Sequence, residues 1–172
     1  MPDRYLAAAE KQFRRLKKLG EEAFAQVSDE AHFHTLLDQE SNSLAVLIQH
    51  LHGNMISRWT DFLTTDGEKA SRKRDTEFDR DKKLTSNELL DIWNEGWDRL
   101  FKTLTTLQSS DLPKTMTIRG EPHSVLEAIQ RELVHYAMHV GQGVFLAKHV
   151  EAATWQSLSI PRGQSERFFR LK

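Results

Sequence analysis

The sequence predicts an all-α protein: a four-helix bundle with long inter-helix loops, in one domain spanning residues 1–172. Three observations predict it. Four long stretches repeat apolar residues at spacings of three and four, the period of an amphipathic helix. Two of those stretches open on a Ser/Thr-x-x-Glu capping box. The chain of 172 residues is long enough for one domain with a sizeable core, and four amphipathic helices in one domain bury their faces as a bundle.

The first helix is expected from Tyr5 to Val27. Phe13, Leu16, Phe24 and Val27 share a face, and Lys and Arg fill the others. Gly20 is its weak spot. Ser28-Asp-Glu30 marks a new start, leading into a short helical stretch from Ala31 to Leu37. The second long helix is expected from Ser43 to Leu63, with Leu44, Ile48, Leu51, Met55, Trp59 and Phe62 as its apolar face. Thr64-Thr-Asp-Gly67 ends it, Asp-Gly being a turn signal. From there to Leu84 the chain is charged and almost without apolar residues, and a loop of that length is either functional or mobile.

Thr85 with Glu88 is a capping box that starts the third helix. Leu89, Ile92, Trp93, Trp97, Leu100, Phe101 and Leu104 give it a broad apolar stripe, wide enough to suggest burial against a second copy of the chain. Asp111-Leu-Pro113 breaks the pattern, and Thr115 to Gly120 alternates as a short extended piece or hairpin does. Ser124 with Glu127 opens the fourth helix, which runs to about Val150. The tail, with Trp155 and Ser159-Ile-Pro-Arg-Gly163, reads as irregular.

Composition removes several classes of function. Net charge is −1 from 24 basic and 25 acidic residues, which favours neither nucleic acid nor an anionic membrane. Lys69, Arg72, Lys73 and Arg74 are offset by Asp66, Glu68, Asp75 and Glu77, so the charged loop reads as solvated rather than as a nucleic-acid patch. The absence of cysteine excludes disulfides, thiolate ligands and a Cys nucleophile. Neither a signal peptide nor a run of apolar residues long enough for a membrane span is visible, so a soluble cytoplasmic protein is expected.

What remains is histidine. His135 and His139 stand four residues apart in the fourth helix, so both rings leave one face, one turn apart. Imidazoles so placed can share one transition metal, and on a helical wheel they border the buried side, where bundles place internal metal sites. The competing reading is a pair of ordinary histidines, in a chain that has eight. A third ligand would come from the second helix. His50 is preferred because Ser43, Asn54, Ser57 and Asp61 lie within about 40° of it on the wheel, a polar stripe suited to a small cavity. His52, roughly 160° away, is the alternative. Asn54, Arg58 and Asp61 are the expected contacts to substrate or cosubstrate, with Arg58 aimed at an anionic group. His32, His34, His123 and His149 are expected to be solvated or satisfied locally, and the Trp93–Trp97 pair to be core or interface.

A histidine on the second helix, a charged loop, a third helix and a late His-x-x-x-His together resemble the DinB-like superfamily. The segment His50-Leu-His-Gly-Asn-Met-Ile-Ser-Arg-Trp-Thr-Asp-Phe-Leu-Thr-Thr-Asp-Gly-Glu-Lys69 and the tail Leu158-Ser-Ile-Pro-Arg-Gly163 resemble an uncharacterised bacterial branch of it. The resemblance covers nearly the whole chain. It implies a bundle of that type, a triad of His50, His135 and His139 around a divalent metal, and a homodimer. Zinc or nickel suits the three imidazoles best, ahead of iron or manganese. Some superfamily members are metal-dependent S-transferases or isomerases that use a low-molecular-weight thiol, so the resemblance implies a metal- and thiol-dependent S-transferase, or a hydrolase, acting on a small electrophile. The alternative is a non-catalytic metal or small-molecule binding protein, or a dimeric scaffold.

Overall fold

The computed structural model describes residues 2–166, and side chains from residue 4 onward; Met1 and residues 167–172 of the expected domain lie outside the described part. It is an all-α bundle of α1 (Pro2–Phe24), α2 (Leu44–Trp59), α3 (Ser86–Thr106) and α4 (Val125–Val150). A hairpin of β1 (Thr115–Ile118) and β2 (Glu121–Ser124) precedes α4, and 3-10 turns cover Glu30–His34, Arg74–Phe78 and Ser109–Asp111. Among the described residues, no helix is long and apolar enough to cross a membrane.

The caps expected from sequence form. Thr85 accepts from the Glu88 N–H while the Glu88 carboxylate accepts from the Thr85 N–H, and Ser124 and Glu127 do the same at α4. Ser43 caps α2 by accepting from the Val46 N–H. α1 runs unbroken through Gly20, where the ring of Trp93 occupies the space a side chain would need. The stretch expected as helix from Ala31 to Leu37 is the shorter 3-10 turn Glu30–His34.

α2 packs mainly on α3, and α1 on α4. Almost every residue of α2 is buried, so it is the central element, and its polar residues are buried with it. At the middle of the bundle each helix contributes one large aromatic: Phe13, Trp59, Trp97 and Tyr136. Phe13 meets Trp59 and Tyr136 at centroid distances of 5.9 Å, and Trp97 meets Tyr136 at 5.8 Å.

Two expectations are corrected. α2 stops at Trp59 rather than Leu63, because Thr60 turns extended, with φ −85° and ψ 129°, and Asp61 takes a φ of 47°. The Thr64 and Thr65 hydroxyls donate to the Asp61 carbonyl, local side-chain bonds of the kind that compete with a helix, and Asp61 is carried off the face that a continued helix would give it. The stripe on α3 is also absorbed within the chain: Trp93 and Trp97 are fully buried, so they supply no subunit interface. The large exposed apolar side chains of the helices lie instead on α4, at Val134, Met138 and Phe145.

This packing predicts a contrast that chemical denaturation can measure. Trp97→Ala removes a ring from the point where the four helices meet and should cost about 3–5 kcal/mol. Ser124→Ala, which removes only a cap, should cost about 1 kcal/mol. Equal losses would show that the aromatic cluster is not the centre of the core.

Candidate metal centre

α2 brings His50, and α4 brings His135 and His139, into one group in which one ligating atom of each residue lies within 4.8 Å of the others. His50 is buried and the other two rings are half-buried. Nε2 of His50 faces Nε2 of His135 at 3.3 Å. Two nitrogens about 2.0–2.1 Å from one tetrahedral ion are about 3.3–3.4 Å apart, so the spacing fits a shared metal.

The outer nitrogens decide what the inner ones can do. Nδ1 of His50 lies 2.9 Å from a Glu77 oxygen. Burial opposes ionisation of Glu77, but Arg72 and His50 hold its pKa below the ordinary value. An ionised carboxylate only accepts, so His50 donates from Nδ1, and Nε2 is the nitrogen that the neutral ring has left for a metal. His135 Nδ1 faces Glu132 at 3.5 Å, long for a hydrogen bond, and Glu132 is held below its ordinary pKa by His135 and Arg58 against the effect of burial. His139 Nδ1 meets the Gln142 side-chain oxygen at 2.8 Å, which again leaves Nε2 free. Burial, with smaller contributions from His135 and His50, lowers the pKa of His139 to about 4 against the pull of that bond. This ring is therefore neutral, and open to a metal, at pH 7. His50 and His139 thus turn Nδ1 outward to an acceptor and Nε2 inward, the arrangement that fixes ring orientation in metal sites, and His135 turns Nδ1 toward Glu132 at longer range.

Glu77 comes from the loop between α2 and α3, and three features hold it there. Arg72 grips it bidentately, Nε to one oxygen and Nη2 to the other, each at 2.7 Å. Phe78 packs on the His50 ring at a centroid distance of 4.8 Å. Gly53, in the middle of α2, leaves the space that the Glu77 carboxylate occupies, and a Cβ there would collide with it. The reading of this loop as solvated is therefore corrected for Arg72 and Glu77, whose side chains are 4% and 9% exposed.

The three histidines open onto a cavity of about 410 Å³ whose wall includes Asn54, Arg58 and Glu132. Asn54 is fixed through the core, since Trp59 donates to the Tyr136 hydroxyl at 2.9 Å and that hydroxyl donates to Asn54 Oδ1 at 3.0 Å. Arg58 is buried and its donors are engaged: Nε with Glu132 at 3.2 Å, Nη2 with Glu68 at 3.1 Å, and Nη1 with the Gly67 carbonyl. It anchors the site, and its expected reach toward an anionic substrate is not what the geometry provides. Asp61, off the end of α2, lines a different cavity with Thr65 and Lys69. His52 also lies on that other side, paired with Glu95 of α3 at 3.0 Å.

Of the remaining histidines, His32 bonds Glu151 and His34 bonds the Leu84 carbonyl. His149 stacks on Phe145, while His123 has a buried ring nitrogen without a hydrogen-bond partner among the described residues.

Glu77 and Arg72 are parts of the site that the sequence alone does not suggest, and Glu132 and Gln142 carry no role there that it assigns. Glu132 and Gln142 were marked by spacing, three residues before His135 and three after His139. For Glu77 the signal was indirect: a glycine in a helix interior, where alanine is the better helix former, marks a close approach.

Glu77→Ala should weaken metal binding about 10–100-fold in a competition titration. Gly53→Ala should weaken it in the same direction without touching a ligand, although alanine favours the helix. Unaltered affinity in Gly53→Ala would mean that the position of Glu77 does not govern His50.

No curated protein and no solved structure matches the chain. A family model described as "Protein of unknown function (DUF1572)" matches residues 1–164. With nearly its whole length covered by that match, the chain belongs to the DUF1572 family.

Proposed function

We propose that this protein holds one divalent metal through Nε2 of His50, His135 and His139, and that it is a metal- and thiol-dependent S-transferase, or a hydrolase, acting on a small electrophile. The observation that carries the metal reading is the facing pair of Nε2 atoms at 3.3 Å, each with its Nδ1 turned to a carboxylate. With both rings neutral and protonated at Nδ1, two lone pairs converge there, and a cation between them would be shared by both. Three imidazoles suit zinc or nickel ahead of iron or manganese.

A divalent metal bound there would supply a Lewis acid that makes a thiol or water nucleophilic near neutral pH. The chain's own residues do the positioning. Glu77, Glu132 and Gln142 orient the rings, and Arg72 and Arg58 hold the two carboxylates. Tyr136 stays protonated, because burial raises its pKa well above the ordinary value, with Glu132 adding to the rise; it serves to fix Asn54 at the cavity wall. The cavity leaves the site open on one side, as catalytic sites are and closed structural sites are not. Because the chain has no cysteine, any thiol must arrive as cosubstrate.

A second reading, a metal or small-molecule binding protein without catalysis, is favoured by one observation. Glu68 and Glu77 are each tied to arginine, and Glu132 gives one of its two oxygens to Arg58, which engages most of the carboxylate oxygens that could act as a general base. Metal analysis of untagged protein followed by a turnover screen separates the readings. One divalent ion per chain is expected, lost in the His135→Ala/His139→Ala double variant. Turnover with bacillithiol, mycothiol, glutathione, coenzyme A or water should require added metal and vanish in His139→Ala. Unchanged metal content in the double variant would sink the metal reading. Metal binding without turnover for any pair would leave the binding reading.

The homodimer expected from sequence is proposed on different residues. Its face would be the outer side of α4, where Val134 is 70% and Phe145 59% exposed, rather than α3. Light scattering at micromolar concentration should give a dimer that Val134→Glu dissociates; a monomeric wild type would refute this.

A further inference from the structure

Five arginines line the cavity above the histidines, and they fall into two groups. Arg58 and Arg72 are buried and committed to carboxylates of the site. Arg74, Arg119 and Arg131 are exposed at the cavity wall and come from three separate elements: the 3-10 turn Arg74–Phe78, the hairpin turn and α4. The guanidinium of Arg74 lies over the Phe78 ring, 4.8 Å from its centroid. Among the described residues neither Arg74 nor Arg131 has a carboxylate partner. Arg119 gives Nε to Glu68 at 3.1 Å, but its side chain stays 54% exposed.

Arg119 is also held where few residues sit. Arg119 and Gly120 form the two-residue turn of the hairpin with φ of 56° and 76°, the sign that type I′ turns require at both positions. Gly120 adopts it freely; arginine does so only where its surroundings impose it. Here Asp66 imposes it, its carboxylate accepting from the Arg119 and Gly120 N–H groups at 2.9 and 2.8 Å. The loop before α3 therefore reaches across to pin the hairpin tip at the cavity.

We propose that the cavity recognises a small molecule through a compact oxyanion, a carboxylate or a phosphate, held by Arg74, Arg119 and Arg131. Guanidinium groups match the planar, multidentate geometry of such anions, and two cations without a carboxylate partner, beside a third that shares Glu68, favour an anion between them. The cavity of about 410 Å³ suits a small ligand. This names the substrate class of the proposed function and rests on it for the reaction, although not for the binding.

The test is calorimetric titration of the full chain, metal-loaded and chelator-treated, with succinate, inorganic phosphate and neutral succinamide. Succinate or phosphate should bind, more weakly as salt rises, and the tighter of the two identifies the source of the oxyanion. Arg131→Gln and Arg74→Gln should each weaken that binding about tenfold, with metal content unchanged. Binding within twofold of wild type in the Arg74/Arg119/Arg131 triple Gln variant, or succinamide binding as well as succinate, would overturn the proposal. Arginine-dependent binding in protein that takes up no metal would keep this inference and remove the metal reading. Metal uptake without arginine-dependent binding would do the reverse.

Discussion

Two ring nitrogens that face each other at 3.3 Å, each on an imidazole whose other nitrogen is turned to a carboxylate, set the terms for the rest of this site. With both rings neutral and protonated at Nδ1, lone pair stands against lone pair between α2 and α4. A cation is what makes such an approach favourable, and the third imidazole, His139, is already neutral at pH 7. The bundle supplies the rigidity. α2 is buried along its length and α4 is locked to it through Trp59, Tyr136 and Asn54, so the two helices cannot simply separate to relieve the opposition.

The carboxylates that orient the rings are themselves held by buried arginines. Arg72 grips Glu77, Arg58 grips Glu132, and Glu68 accepts from Arg58, Arg72 and Arg119 together. Buried ion pairs contribute little net stability, because desolvating the charges offsets their attraction. Their effect here is positional. Through Glu68 and Asp66, one stretch of the loop after α2 connects the histidines, the central helix and the hairpin tip.

Most of the fold was legible in the sequence, because amphipathic periodicity and capping boxes are local signals. The two boxes at Thr85 and Ser124 placed the starts of α3 and α4. The end of α2 was not legible in the same way. A wheel continues the helix past Trp59, whereas the backbone turns extended at Thr60 and left-handed at Asp61, and the Thr64 and Thr65 hydroxyls bond the Asp61 carbonyl, a local choice that periodicity does not register. The same error placed Asp61 beside the histidines. At the site, spacing brought out His135 with His139, and the wheel separated His50 from His52. Glu77 and Arg72 stayed hidden because a balanced run of charges looks solvated, and only tertiary packing shows which of them are buried.

X-ray absorption on protein loaded with one equivalent of zinc or nickel addresses the opposed nitrogens most directly. The three-histidine centre predicts a coordination shell with three imidazole nitrogens in the wild type, falling to two in His50→Ala and unchanged in His52→Ala. A shell with fewer than three imidazoles in the wild type, or one that loses an imidazole in His52→Ala while His50→Ala leaves it intact, would contradict it.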